Sequence, residues 1–317
     1  AVKDEFIAAV LTREELEIVP LTPVSRVVNL LRMLHFQLSK FRLGGGYTQE
    51  FAKPLFDAAQ SHLQELYEEV MAPLRGHLRG GHLVIVPHGV LHYLPFHALF
   101  DGERYMIDSF TVSYAPSAGI FSLCQQRSSR ASGAPLILGV PDAQAPLIRE
   151  EVESIARILP DSKLLLGADA NVEALRTTGL HTRILHIATH GTFRQDNPMF
   201  SGIRLGDAYL NLYDLYQLKL EADLVTLSGC ATGLNVVTAG DELLGLIRGL
   251  LYAGAQSLLL TLWNVHDRST ADFMMSFYRR FQEGADKAAA LQCAMQELRE
   301  RYTHPYYWAP FVFVGKI

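Results

Sequence analysis

The chain has 317 residues, 49% hydrophobic and 19% charged, with a formal net charge of −5. These values describe a globular protein with one large or two modest cores, and the acidic balance gives no electrostatic reason to expect nucleic acid or an anionic membrane. Three cysteines, Cys124, Cys230 and Cys293, are too few and too scattered for a disulfide framework or a zinc knuckle, and they fit a reducing, cytoplasmic setting.

No apolar run has the length of a membrane span, and the first residues lack the charged-then-apolar layout of a secretion signal. The chain starts without Met in a strand-like stretch, which points to an upstream portion. Residues 6–11 and 16–21 flank a polar turn and predict a hairpin. Residues 24–43 carry Val24, Val27, Val28, Leu31, Leu34, Leu38 and Phe41 at helical spacing. Gly44, Gly45 and Gly46 form an interhelix loop rather than a phosphate loop, because no Lys-Ser/Thr follows and no strand precedes. A second amphipathic stretch covers residues 49–78, with breaks expected at Pro54 and Pro73.

A short buried strand over 83–87 leads into His88, His92 and His97. Their spacing, in a proline-containing stretch without acid or thiol companions, argues against a metal site. Strands are expected over 105–108 and 110–114. Residues 125–134, polar and small, read as a linker. The division falls there: 1–128 and 129–317.

Beyond the linker, strands and helices alternate: strand 136–140, helix 147–159, strand 163–166, helix 171–177, then a strand ending at His190. Alternation of this kind predicts an α/β fold with a mostly parallel sheet flanked by helices. Residues 202–220 are an insertion with a hairpin turning at Gly206-Asp207 and a short helix. A second buried strand follows, ending at Ser228-Gly229-Cys230. Helix 240–252 with Asp241 as its cap, strand 257–263, helices 269–281 and 286–302 and strand 311–315 complete the chain.

Two buried runs, one ending in His190-Gly191 and one in Gly229-Cys230, place a base and a thiol at carboxyl ends of strands, the edge where open parallel sheets bind ligands. An imidazole beside a thiol makes the thiolate nucleophile and can later protonate a leaving amine. The oxyanion is assigned to the N–H groups of Gly191 and Cys230, and nothing in the sequence calls for a third member. The bland alternative is a buried structural cysteine. His186 and His190, four apart on one strand, have no companion ligands for a metal.

The strings LHIATHG, LSGCATG, GDELLGLIRGLLYAGAQSLLLTLWNVHD and HPYYWAPFVFVG, with LVIVPHGVLHYLPFHALFDG, VSYAPS and PLIREEVESIARILP before them, resemble the CHAT family of caspase-like cysteine peptidases, related to separases, caspases and gingipains. The resemblance covers essentially the whole chain. It implies that His190 and Cys230 are the catalytic pair of a regulated cysteine endopeptidase working through a thioacyl intermediate. It also implies a degenerate caspase-like half (1–128) packed against the active half (129–317), and substrate held in extended form along residues 263–267.

On that basis Trp263, Asn264 and Asp267 are the expected substrate-binding residues, although Trp263 can equally be core. Asp267 and Asp223 could select a basic side chain, but acids in such places more often cap helices or face solvent. Two departures stand out: His88 replaces an acid common in the family, and no tetratricopeptide repeats precede the domain. The expected partners are a protein substrate and an activating partner or upstream regulatory domain, with no cofactor, metal, direct nucleic acid or membrane. The rival readings are a catalytically silent interaction module using the same fold, and a redox sensor acting through Cys230.

Overall fold

The computed structural model describes residues 4–127, 132–143, 145–192, 202–229 and 241–317. Strands β1 (Glu5–Leu11) and β2 (Leu16–Pro23) form the expected antiparallel hairpin, with Leu11 opposite Leu16. Helix α1 (Val24–Ser39) follows directly and buries Val27, Leu30, Leu31, Leu34 and Leu38, the single stripe its apolar spacing demands. After a short α2 (Gly45–Glu50), α1 lies against α3 (Ala52–Val70). The break expected at Pro54 does not occur, because Pro54 falls in the first turn of α3, where no intrahelical N–H bond is lost. Pro73 stands in a separate 3₁₀ turn past the end of that helix.

Strands β3 (His82–Ile85) and β4 (Thr111–Tyr114) are parallel neighbours. Between them the chain makes short 3₁₀ turns, and one of them, Met106–Asp108, replaces the strand expected over 105–108. The cause is local: the Asp108 carboxylate accepts from the Tyr105 N–H at 3.1 Å and closes a capping box. Helix α4 (Ala118–Gln126), not foreseen in the sequence, starts at Ser117, whose hydroxyl accepts from Ile120 N–H at 3.1 Å.

The remainder alternates as the sequence suggests. Its elements are β5 (Leu136–Gly139), α5 (Ile148–Ile158), β6 (Lys163–Leu166), α6 (Val172–Thr177), β7 (Ile184–Ala188), β8 (Gly191–Thr192), β9 (Gly202–Arg204), β10 (Tyr209–Asn211), α7 (Leu212–Gln217), β11 (Leu224–Ser228), α8 (Asp241–Ala253), β12 (Ser257–Thr261), α9 (Asp267–Gln282), α10 (Lys287–Arg301), α11 (Pro305–Trp308) and β13 (Phe311–Gly315).

One eight-stranded sheet, in the order β3-β4-β13-β12-β11-β7-β5-β6, runs through the molecule. Strands β12, β11, β7, β5 and β6 are parallel. Strand β13 is antiparallel to β12 but parallel to β4, so β3 and β4 point the opposite way. The stretch after β3, with His88, His92 and His97, therefore leaves from the rim opposite the one where β7 and β11 end. His97 is buried as a packing joint, its Nε2 bonding Ala309 O at 3.0 Å and its Nδ1 the Tyr114 hydroxyl at 3.2 Å.

Helices cover both faces. Phe273 of α9 stacks on Phe311 at 3.5 Å, whereas Leu243, Leu244 and Ile247 of α8 line a recess with Val312 and Val314, and successive residues of a strand point to opposite faces. Among the described residues no helix is long and apolar enough to cross a membrane.

Candidate active site

Strands β7 and β11 lie side by side in constant register, Leu224 opposite Ile184 and Ser228 opposite Ala188. All five residues of each are buried, which is why both read as continuous apolar runs rather than alternating ones. Past β7 the chain stays fastened. Thr189 N–H donates to Ser228 O at 2.9 Å, Thr189 Oγ1 donates to Arg204 O at 2.8 Å, and Arg204 N–H donates to His190 O at 3.0 Å. Gly191 then opens β8, opposite Ile203 of β9. His190 is thus held between the end of β11 and the inserted strand β9.

Past β11 the requirement is steric. Gly229 has φ +131°, and a Cβ there would stand 1.9 Å from Thr189 O. Only glycine allows the two strand ends to approach this closely. The Gly229 carbonyl accepts from Thr261 Oγ1 at 3.2 Å, which ties this turn to β12. Cys230, and with it the expected oxyanion donor at its N–H, lies outside the described residues. A small recess lies between the strand ends, lined by Thr189, Gly191, Ile203, Ser228, Gly229 and Leu246 among others.

The His190 ring is partly exposed and its Nε2 lies 3.2 Å from Asp142 Oδ1. A carboxylate only accepts, so Nε2 carries the hydrogen. No bond to Nδ1 is found among the described residues. Asp142 follows β5 directly, in Val140-Pro141-Asp142, so a third strand end reaches the same rim. Its Oδ2 accepts from Arg204 Nη1 at 2.7 Å and its Oδ1 from Ala145 N–H at 3.1 Å. Neither Asp142 nor Arg204 was expected from the sequence. The available signal was position alone: a third buried run, 136–140, ending like the other two beside a polar group.

The 263–267 segment leaves β12 on this rim. Trp263 is 5% exposed, donates Nε1–H to Tyr306 O at 3.0 Å and meets the His35 ring edge-on. It therefore packs as a core residue, the second of its two expected roles. Asn264 is half-buried. Asp267 begins α9, where its carboxyl accepts from Leu147 N–H and interacts electrostatically with His190; desolvation, only partly offset by that bond, raises its pKa. Asp223, by contrast, sits before the start of β11 at the far rim, paired with Lys287 at 3.0 Å.

Beneath the rim, His186 is fully buried and both of its ring nitrogens are bonded within the fold. Its Nε2–H donates to Glu151 at 3.0 Å, its Nδ1 lies 3.1 Å from the Tyr278 hydroxyl, and that hydroxyl is 2.8 Å from Thr226 Oγ1. Burial pushes the Tyr278 phenol well above its usual range, so it remains protonated and donates to Nδ1. Thr226 in turn donates to Tyr278, which satisfies every member of the chain.

This architecture agrees with comparisons to known proteins. The CHAT domain model matches residues 60–316. The chain belongs to the CHAT-domain family. The sequence is 27% identical to tetratricopeptide repeat protein 28 of Mus musculus over 81% of this chain, but it spans only 13% of that relative's length. Among solved structures, the CHAT fold is similar to Saccharomyces cerevisiae separase in its complex with securin (TM-score 0.56, 17% identity, 85% of this chain and 18% of that one). It is also similar to the Arg-specific cysteine proteinase gingipain R (TM-score 0.50, 8% identity, 85% of this chain and 69% of that one). At these identities the structural likeness establishes a caspase-like fold.

Proposed function

We propose that this CHAT domain is a regulated cysteine endopeptidase acting through Cys230 and His190. The observation that carries the reading is the register of β7 and β11. Every described pair differs by 40 in sequence, from Ile184–Leu224 to Ala188–Ser228, and the same offset separates His190 from Cys230. The turn after β11 also has the glycine such an approach needs.

In this reading His190 Nδ1 takes the thiol proton and the Cys230 sulfur attacks the scissile carbonyl carbon. The oxyanion forms opposite the N–H groups of Gly191 and Cys230. Collapse expels the amine, which receives the proton from His190, and leaves a thioacyl enzyme that water hydrolyses. Asn264 and Asp267, on the segment leaving β12, border the path of an extended substrate. The substrate is a protein, and an activating partner or upstream domain governs turnover.

The test is a digest with a co-expressed partner screen. Wild type is expected to yield a cleaved product, and Cys230→Ala and His190→Ala are each expected to lower turnover by at least about a thousandfold. Cleavage at the wild-type rate by both variants would reject the assignment, and stoichiometric capture of a partner without cleavage would favour a binding module instead.

A further inference from the structure

We infer that Asp142 and Arg204 are a positioning pair for His190, Asp142 fixing the tautomer and orientation of the ring while Arg204 holds the carboxylate in place. The inference rests on the peptidase reading and adds to it two residues from elements other than β7 and β11.

The geometry divides the work between the two carboxylate oxygens. Oδ1 faces His190 Nε2 at 3.2 Å, and Oδ2 faces Arg204 Nη1 at 2.7 Å. With Nε2–H committed to Asp142, the lone pair of a neutral ring lies on Nδ1, the nitrogen the proposed chemistry uses. An anion this close stabilises the imidazolium that forms when the thiol gives up its proton. Arg204 opposes it by drawing on the same carboxylate, so Asp142 steadies the cation without taking its proton.

The pair is also built into the backbone. Arg204 bonds His190 O through its N–H and receives Thr189 Oγ1 on its own carbonyl, and Asp142 is fixed by Ala145 N–H. Ring, carboxylate and guanidinium are therefore set by three separate strand ends, those of β7, β5 and β9. The described charged groups around the ring are Asp142 after β5, Arg204 on β9 and Asp267 at the start of α9. Only the first two share a direct contact chain with it.

A readout of the ring itself separates positioning from mere structural support. In ¹⁵N-histidine-labelled protein with Cys230→Ala, which removes coupling to the thiol, the ¹⁵N shifts of neutral His190 report which ring nitrogen carries the hydrogen. The parent is expected to hold it on Nε2, Asp142→Glu to keep it there and Asp142→Ala to populate both tautomers; Arg204→Gln is expected to weaken the preference and Arg204→Lys to retain it. A parent ring with its hydrogen on Nδ1, or an unchanged preference in Asp142→Ala, overturns the inference. If Asp142→Ala does not fold, as judged by its thermal melt, a parent hydrogen on Nδ1 or an unchanged preference in Arg204→Gln overturns it alone.

A parallel measurement on protein retaining Cys230 follows iodoacetamide labelling of each cysteine by mass spectrometry. Asp142→Asn is expected to slow labelling of Cys230 at neutral pH by about tenfold. If Cys230 labels no faster than Cys124 or Cys293 and ignores His190→Ala, the peptidase reading has failed. If Cys230 depends on His190 but not on Asp142 or Arg204, only the present inference has.

Discussion

The residue that most constrains the site is a glycine. At Gly229 the backbone adopts φ +131°, and the nearest atom to an added Cβ is a main-chain carbonyl oxygen that cannot swing aside. Gly229→Ala is expected to lower unfolding free energy by about 3 kcal/mol, measured by urea denaturation. At temperatures where the variant remains folded it is also expected to lose selective labelling of Cys230. A variant with wild-type stability and wild-type labelling would mean that the two strand ends are not in this contact. His190 and this glycine were both legible in the sequence, because buried strands that stop at small or polar residues announce their own ends. Asp142 was not, since an acid three residues after a strand and just past a proline looks like an ordinary turn residue, and only the sheet order brings it beside His190.

At the scale of elements, strand identity was more legible than strand order. Apolar runs marked β5, β6, β7, β11, β12 and β13 within a residue or two, but nothing local says that the last strand in sequence inserts between β12 and β4 and reverses the direction of β3 and β4. Of the 3₁₀ turns between β3 and β4, only the one over 106–108 looks like a strand in the sequence, and a side-chain cap, Asp108, decides the outcome. Between β7, β11, α5 and α9 the elements are keyed together by the Glu151–His186–Tyr278–Thr226 chain, which sequence spacing shows only as a histidine four residues before His190 in an apolar run. Tyr278→Phe removes the hydroxyl that both receives from Thr226 and donates to His186, leaving two buried polar groups unpaired. A loss of about 2–4 kcal/mol is expected. A double-mutant cycle with Thr226→Val should show coupling between the two sites, and additivity within about 0.5 kcal/mol would exclude the chain as described.

Across the whole molecule, the segments before and after residues 128–131 are joined by neutral histidines, His97 and His304 buried and His35 half-buried. His35 of α1 meets Trp263, His97 bonds Ala309 O, and His304 packs on Phe41 at 4.4 Å. Burial lowers all three from their usual pKa of 6.5 to about 4. The sign follows from the unfolded chain, which takes up these protons near pH 6.5 while the folded one refuses them until about pH 4. Stability is therefore complete above pH 6.5, falls as pH drops through that window and levels off below it. Each histidine contributes on the order of 3 kcal/mol to the fall, and three of them rival the total stability of an ordinary domain, roughly 5–15 kcal/mol. Cooperative acid unfolding is thus expected before pH 4 is reached. Urea midpoints measured across this range should fall with pH, and His35→Gln, which cannot titrate, should reduce proton uptake on unfolding near pH 5 by about one. The contacts at stake join α1 and the β3–β4 connection to the C-terminal segment, so fluorescence of Trp263 and Trp308 should change in the same transition. A stability profile flat between pH 6.5 and 4 would show that these three rings are not held neutral in the fold.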